Sequence, residues 1–307
     1  MLKDLLPDFL NKSISLLKFD DLCEIRLRLG MPIMVNYKNT YYFLGANGLC
    51  NENNAVVCTK EILQFIVSKA SNYSVYAVND ELKDGFISVG DGIRIGLTGM
   101  VVMENDKVLT VKNISSINIR IPHQILNSAF KISKFVIDES GQVFNTLIIG
   151  APGTGKTTIL RDLCLQINKV KKDINILLLD ERLEIASVNN GFPALNVGCS
   201  TDIICGGKKS FNILNGIRSM APNVIVLDEI GTLDDIKAVE YAINSGVSII
   251  ASVHSKDIFE FQKKHEFENL INSRAFKRYV ILSNQNGKGT VENMYDEYMR
   301  PILRFIW

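Results

Sequence analysis

The sequence predicts an α/β protein, in which a C-terminal P-loop domain built on a parallel sheet follows a smaller N-terminal α/β (α+β) domain. Three observations predict it. From Asn145 onward the apolar runs "TLIIG", "INILLL", "NVIVL" and "VSIIASV" are short and continuous, as in strands covered on both faces by helices. Helical runs, "KTTILRDLCLQI" and "DDIKAVEYAIN", fall between them, so strand and helix alternate. Before residue 145, stretches such as "LCEIRLRLG" alternate apolar with polar, the mark of a strand with one wet face.

Composition frames these elements. The 307 residues, 47% hydrophobic and 22% charged, suit a globular chain of about two domains. With 34 basic and 33 acidic side chains the formal charge is +1, so no overall field favours nucleic acid or an anionic membrane. No nucleic-acid partner is expected, and any membrane contact should be peripheral. The six cysteines form no C-x-x-C pair and lie near no histidine at metal spacing, which suits buried thiols in a reducing cytoplasm. The opening stretch carries Asp4 and Asp8 and lacks a basic start, a long apolar centre and a small-residue cleavage site, so no signal peptide is expected. The apolar runs of four to eight residues fall short of the roughly 20 that span a bilayer.

In chain order, Leu5, Leu6, Phe9, Leu10, Ile14 and Leu17 recur at helical spacing and predict a first amphipathic helix over residues 3–18. The strand "LCEIRLRLG" follows, expected to place Leu22, Glu24, Arg26 and Arg28 on its polar side and to end at Gly30 and Pro32. A weaker helix is expected at Thr59 to Ala70, then strands from Asp91 to Pro122 broken at Glu104 to Lys107. The resulting division is residues 1–128 for the N-terminal domain, 129–144 for a linker and 145–307 for the P-loop domain.

The chemistry lies in the second half. "GAPGTGKT" satisfies G-x-x-x-x-G-K-[ST] between a predicted strand and helix. Glycines let successive backbone N–H groups turn toward a phosphate, and the helix N-terminus adds its positive end. Gly150, Ala151, Pro152, Gly153, Thr154, Gly155, Lys156, Thr157 and Thr158 are therefore the expected ATP cradle, with Lys156 on the outer phosphates and Thr157 on Mg²⁺. "NVIVLDEIG" ends a strand on Asp228, expected to hold Mg²⁺, and Glu229, expected to polarise the attacking water. "LLLDERLEIA" brings Asp180, Glu181 and Glu184 to the same sheet edge, and one of the three is expected to face the metal or its waters, with Asp180 the metal-ligand candidate and Glu184 the catalytic one. At the end of "IASVHS", His254 stands where a γ-phosphate would be sensed.

These boxes in this order resemble the secretion-type traffic ATPases of type II and type IV secretion. The segments "EIRLRLGMPIMV", "GIRIGLTG", "SINIRIP", "LIIGAPGTGKTTILRDL", "DERLEIA", "GIRSMAPNVIVLDEIG" and "SIIASVHS" are more closely similar to one branch, the stage III sporulation protein AA family. The resemblance runs from about Leu5 to about Lys256 and implies a RecA-like, hexameric ATPase. It also implies a site on the mother-cell, cytoplasmic face of the membrane around the forespore, where the ATPase energises a channel or secretion complex of membrane partner proteins. Traffic ATPases commonly have Gly where Asp228 stands, so here Asp228 can itself contact the metal. The resemblance further implies that arginines of the N-terminal domain and the domain junction help complete the site; the candidates are Arg120 first, then Arg94 and Arg218. Two alternatives stay open: a nucleotide-gated assembly scaffold with negligible turnover, and a hexameric nucleic-acid motor using "CGGKKSF" as its channel loop.

Overall fold

The computed structural model describes residues 2–71, 85–104, 107–189 and 191–304. They form two units, Met1–His123 with Asn189–Ala194, and Gln124–Val188 with Leu195–Trp307. Among the described residues no helix is long and apolar enough to cross a membrane.

The first unit runs α1 (Leu2–Leu5), α2 (Asp8–Ile14), β1 (Leu22–Arg28), β2 (Met34–Tyr37), β3 (Thr40–Gly45), β4 (Gly48–Cys50), α3 (Lys60–Ala70), β5 (Phe86–Ser88), β6 (Arg94–Glu104) and β7 (Lys107–Arg120). Its strands form a seven-stranded antiparallel sheet in the order β4-β3-β2-β1-β7-β6-β5. Leu5, Leu10, Ile62 and Ile66 of the helices share one core with Ile25, Leu27, Ile95, Ile117 and Ile119 of the strands. Alternation along each strand then turns the polar set to the opposite face, where Arg120 lies directly across from Glu24 on one side and Arg94 on the other.

Two local expectations change. Pro7 splits the predicted first helix into α1 and α2, because a proline cannot donate to the helix ladder. The break resets the phase and leaves Phe9 45% exposed. In β1 the pairing slips between Leu22 and Glu24, so Leu22 enters the core instead of the polar side.

The remaining elements are α4 (Phe130–Val136), β8 (Thr146–Gly150), α5 (Lys156–Val170), β9 (Ile176–Asp180), the short pair β10 (Val188–Asn189) and β11 (Phe192–Pro193), β12 (Thr201–Cys205), α6 (Lys209–Met220), β13 (Val224–Leu227), α7 (Leu233–Asn244), β14 (Ser248–Val253), α8 (Ile258–Gln262), α9 (Glu268–Asn272), β15 (Arg278–Ser283), β16 (Thr290–Tyr295) and β17 (Pro301–Arg304). The second unit's sheet has the order β12-β9-β13-β14-β8-β15-β16-β17. It is parallel from β12 to β15, and its last two strands are antiparallel.

Alternate residues of each parallel strand enter different cores. Ile148 packs in one core with Ile159, Leu163 and Ile167 of α5. Leu147 and Ile149 enter the other with Val239 and Ala242 of α7 and Phe261 of α8. Full burial of each such aliphatic side chain contributes about 1.5–3 kcal/mol. The continuous apolar runs thus reflect a sheet covered on both faces, an α/β P-loop fold. Because the strands are parallel, the C-terminal ends of β8, β9, β13 and β14 share one edge, which carries Gly150, Asp180, Asp228 and His254.

Candidate functional site

The site starts where β8 gives way to α5. Gly155 caps α5 with φ of +91°, a left-handed conformation that glycine adopts without strain. A methyl group on Gly155 would also stand 2.9 Å from Gly289 N and 3.1 Å from its Cα, closer than a real side chain tolerates. The contact is reinforced by the Gly289 N–H, which donates to the Thr154 carbonyl at 2.8 Å. The turn between β15 and β16, residues 284–289, therefore meets the glycine loop through its last residues, Lys288 and Gly289.

Lys156, the first residue of α5, is only 6% exposed. Its ammonium donates to the carbonyls of Gly150 at 2.8 Å and Ala151 at 3.0 Å, and meets His254 Nδ1 at 3.3 Å. An ammonium can only donate, so Nδ1 accepts and the ring proton sits on Nε2. That Nε2 lies 2.6 Å from Glu229 Oε2. Lys156, His254 and Glu229 thus form one hydrogen-bonded chain from the α5 N-terminus to the end of β13. Burial pulls the Lys156 ammonium below its usual pKa, against the opposing attraction of Glu229 and Asp228.

Asp228 accepts a hydrogen bond from Ser252 Oγ at 3.3 Å. Burial pushes its carboxyl above the ordinary range, and Glu184 adds to the rise while Lys209 opposes it. Asp228 is a hard-oxygen donor whose charged form gains from a nearby cation, and Thr157 on the first turn of α5 supplies a hydroxyl. Among the described residues no three His, Cys, Asp or Glu side chains gather in a ready metal cluster.

Asp180 is 1% exposed, and its two carboxylate oxygens accept from the N–H groups of Glu184, Ile185 and Ala186 at 2.8–3.2 Å. Arg161 braces the same loop from α5 by donating to the carbonyls of Glu184 and Ile185. Glu181 and Glu184 are exposed, and Glu181 Oε2 lies 3.1 Å from Lys209 Nζ. Arg94 and Arg120 belong to the first unit's open sheet face, with the Arg94 guanidinium 5.4 Å from the Phe86 ring centroid. Arg218 is exposed in the last turn of α6. The structure therefore brings Lys156, His254, Glu229 and Asp228 together, gives Asp180 to its own loop, and adds three groups that the motifs did not assign to this site: Ser252, Lys209 of the "CGGKKSF" stretch, and the 284–289 turn. Only Lys209 had a signal, the glycine pair before it.

Comparison with known proteins places these features in a family. The family described as "Sporulation stage III, protein AA" matches residues 5–301. The stage III sporulation protein AA of Bacillus subtilis (strain 168) is 35% identical over 300 residues, covering 96% of this chain and 94% of that protein. Among solved structures, the ATPase DotB of Legionella pneumophila superposes with a TM-score of 0.56 at 16% identity, covering 89% of this chain and 74% of that one. The pilus retraction motor PilT with bound ADP superposes with a TM-score of 0.57 at 12% identity, covering 88% and 76%. At such identities the two structures share the fold.

Proposed function

The chain belongs to the sporulation stage III protein AA family, and from that premise we propose that it is an ATP-hydrolysing, secretion-type ATPase. Its work is to energise assembly of, or transport through, a sporulation channel complex at the membrane around the forespore. The observation that carries this reading is the chain from Lys156 through His254 to Glu229 at one end of adjacent parallel strands. It joins a phosphate-binding lysine to a carboxylate able to take a proton from water.

ATP is bound with its phosphates in the loop from Gly150 to Thr158, facing backbone N–H groups and the α5 N-terminus. In the structure Lys156 spends its donors on Gly150, Ala151 and His254, which holds it in the loop until phosphate oxygens replace some of those partners. Glu229 orients a water and accepts its proton as the water oxygen bonds the γ-phosphorus; the bond from that phosphorus to the bridging oxygen breaks, and ADP leaves with the electron pair. His254 fixes the Glu229 carboxylate through Nε2. Mg²⁺ fits the hard oxygens of Thr157 and Asp228, and when bound it neutralises charge on the phosphate oxygens. Asp180 shapes the loop of residues 181–186, leaving Glu184 as the exposed carboxylate near Asp228.

Steady-state hydrolysis tests the reading. Lys156→Ala should lose nucleotide binding and turnover together, whereas Glu229→Gln should bind ATP and hold it unhydrolysed. A parent protein no faster than Glu229→Gln would leave the gated-scaffold alternative in its place.

A further inference from the structure

The stretch Gly206-Gly207-Lys208-Lys209 ends β12 and opens α6. Both glycines are left-handed, with φ of +67° and +73°, and the Asn212 side chain donates to the Gly206 carbonyl at 2.7 Å. That turn leaves Lys208 exposed and sends Lys209 inward until it is 9% exposed. A buried ammonium is costly unless it is paired and hydrogen-bonded, so the position of its partners shows what it stabilises. Those partners are the backbone carbonyl of Glu229 and, at 3.1 Å, the carboxylate of Glu181, which is itself 46% exposed.

The Glu229 carbonyl belongs to the peptide group joining Glu229 to Ile230, and the N–H of that same group donates to the Ser252 carbonyl at 2.8 Å. Both polar atoms of one peptide are therefore held, one by a cation from α6 and the other by β14. Holding that plane fixes the backbone from which the Glu229 side chain starts, and from there its carboxylate reaches His254 Nε2. Without Lys209 the carbonyl would face the roughly 460 Å³ cavity lined by Glu181, Lys208, Gly231 and Asp234, where water would bind it without fixing it.

We propose that Lys209 is a positioning residue for hydrolysis: its ammonium clamps the Glu229–Ile230 peptide so that the Glu229 carboxylate stays in line with His254. The proposal rests on Glu229 being the residue that orients water. It makes α6, through its first residue, part of the apparatus that sets turnover, although Lys209 touches neither nucleotide nor water.

The test uses the full chain with Lys209→Met, Lys209→Arg, Lys208→Met and Glu229→Gln, reading the affinity for a fluorescent ATP analogue, kcat and KM. Lys209→Met should lower kcat by about 10- to 100-fold, as loss of a partner that orients a working group does, with affinity and KM within about twofold of the parent. Lys209→Arg, which keeps a cation, should recover part of that kcat, and Lys208→Met should match the parent. Added to Glu229→Gln, Lys209→Met should reduce turnover no further. Parent-like kcat in Lys209→Met overturns the proposal, as does a Lys209→Arg no better than Lys209→Met. A Lys209→Met protein that no longer binds nucleotide also overturns it, by assigning the lysine to folding. Should Glu229→Gln itself hydrolyse ATP at the parent rate, the premise fails and not the clamp alone.

Discussion

His254 gives the residue scale its sharpest prediction, because it has a different neighbour on each ring nitrogen: Lys156 at Nδ1 and Glu229 at Nε2. His254→Ala removes both links and should bind ATP within a few-fold of the parent while losing most turnover. His254→Gln keeps one donor and one acceptor and should retain part of it. Affinity and turnover measured on both variants decide the matter; equal, full turnover in the two would make the ring a packing group. The four residues of this cluster were legible in the sequence, since glycine spacing and strand-end placement fix where each backbone lies. Asp180 was legible as a strand-end carboxylate but not in its direction, which depends on three N–H groups from residues 184–186 turning back on it. Lys209 was hidden for a similar reason: two lysines in a row look like a solvated pair until the turn before them buries one.

Among elements, the 284–289 turn shows how a segment without a motif comes to shape one. Gly155 needs both its left-handed φ and the absence of a side chain against Gly289. Gly155→Ala should therefore displace the turn or the glycine loop and weaken ATP binding by at least tenfold, more than the strain of a left-handed alanine near 1 kcal/mol would produce alone. Binding measured by titration with a fluorescent ATP analogue checks this; affinity within twofold of the parent would mean that the loop and the turn are independent. The core strands β8, β9, β13 and β14 were legible because burial on both faces leaves an unbroken apolar run. The strand β12, with its mixed burial at the sheet edge, and the antiparallel extension β16–β17 were not. At the other end of the chain, apolar periodicity ran straight across Pro7, and only backbone chemistry divides the helix there.

At the scale of the whole molecule, the family resemblance implied a hexamer and arginines that complete the nucleotide site, in the same subunit or the next one. In the first unit Arg94 and Arg120 pair across β6 and β7, with Glu24 opposite Arg120 on its other side. Arg120→Ala and Lys156→Ala proteins, each inactive alone, should recover turnover when mixed if Arg120 acts on an adjacent subunit; no recovery at any ratio would confine it to its own chain. Turnover per chain should likewise fall on dilution if subunits share sites, and constant specific activity would argue for self-contained ones. The hydrogen bond from Gly289 to Thr154 gives the chain an internal clock. Backbone amides exchange with deuterated solvent only when such bonds open, so the Gly289 amide times the opening of the glycine loop from a position some 130 residues further along the chain. Nucleotide should slow its exchange at saturation and release it as product leaves. An exchange rate indifferent to saturating ATP would show that the turn opens without the loop, and that events at the phosphates end at the loop itself.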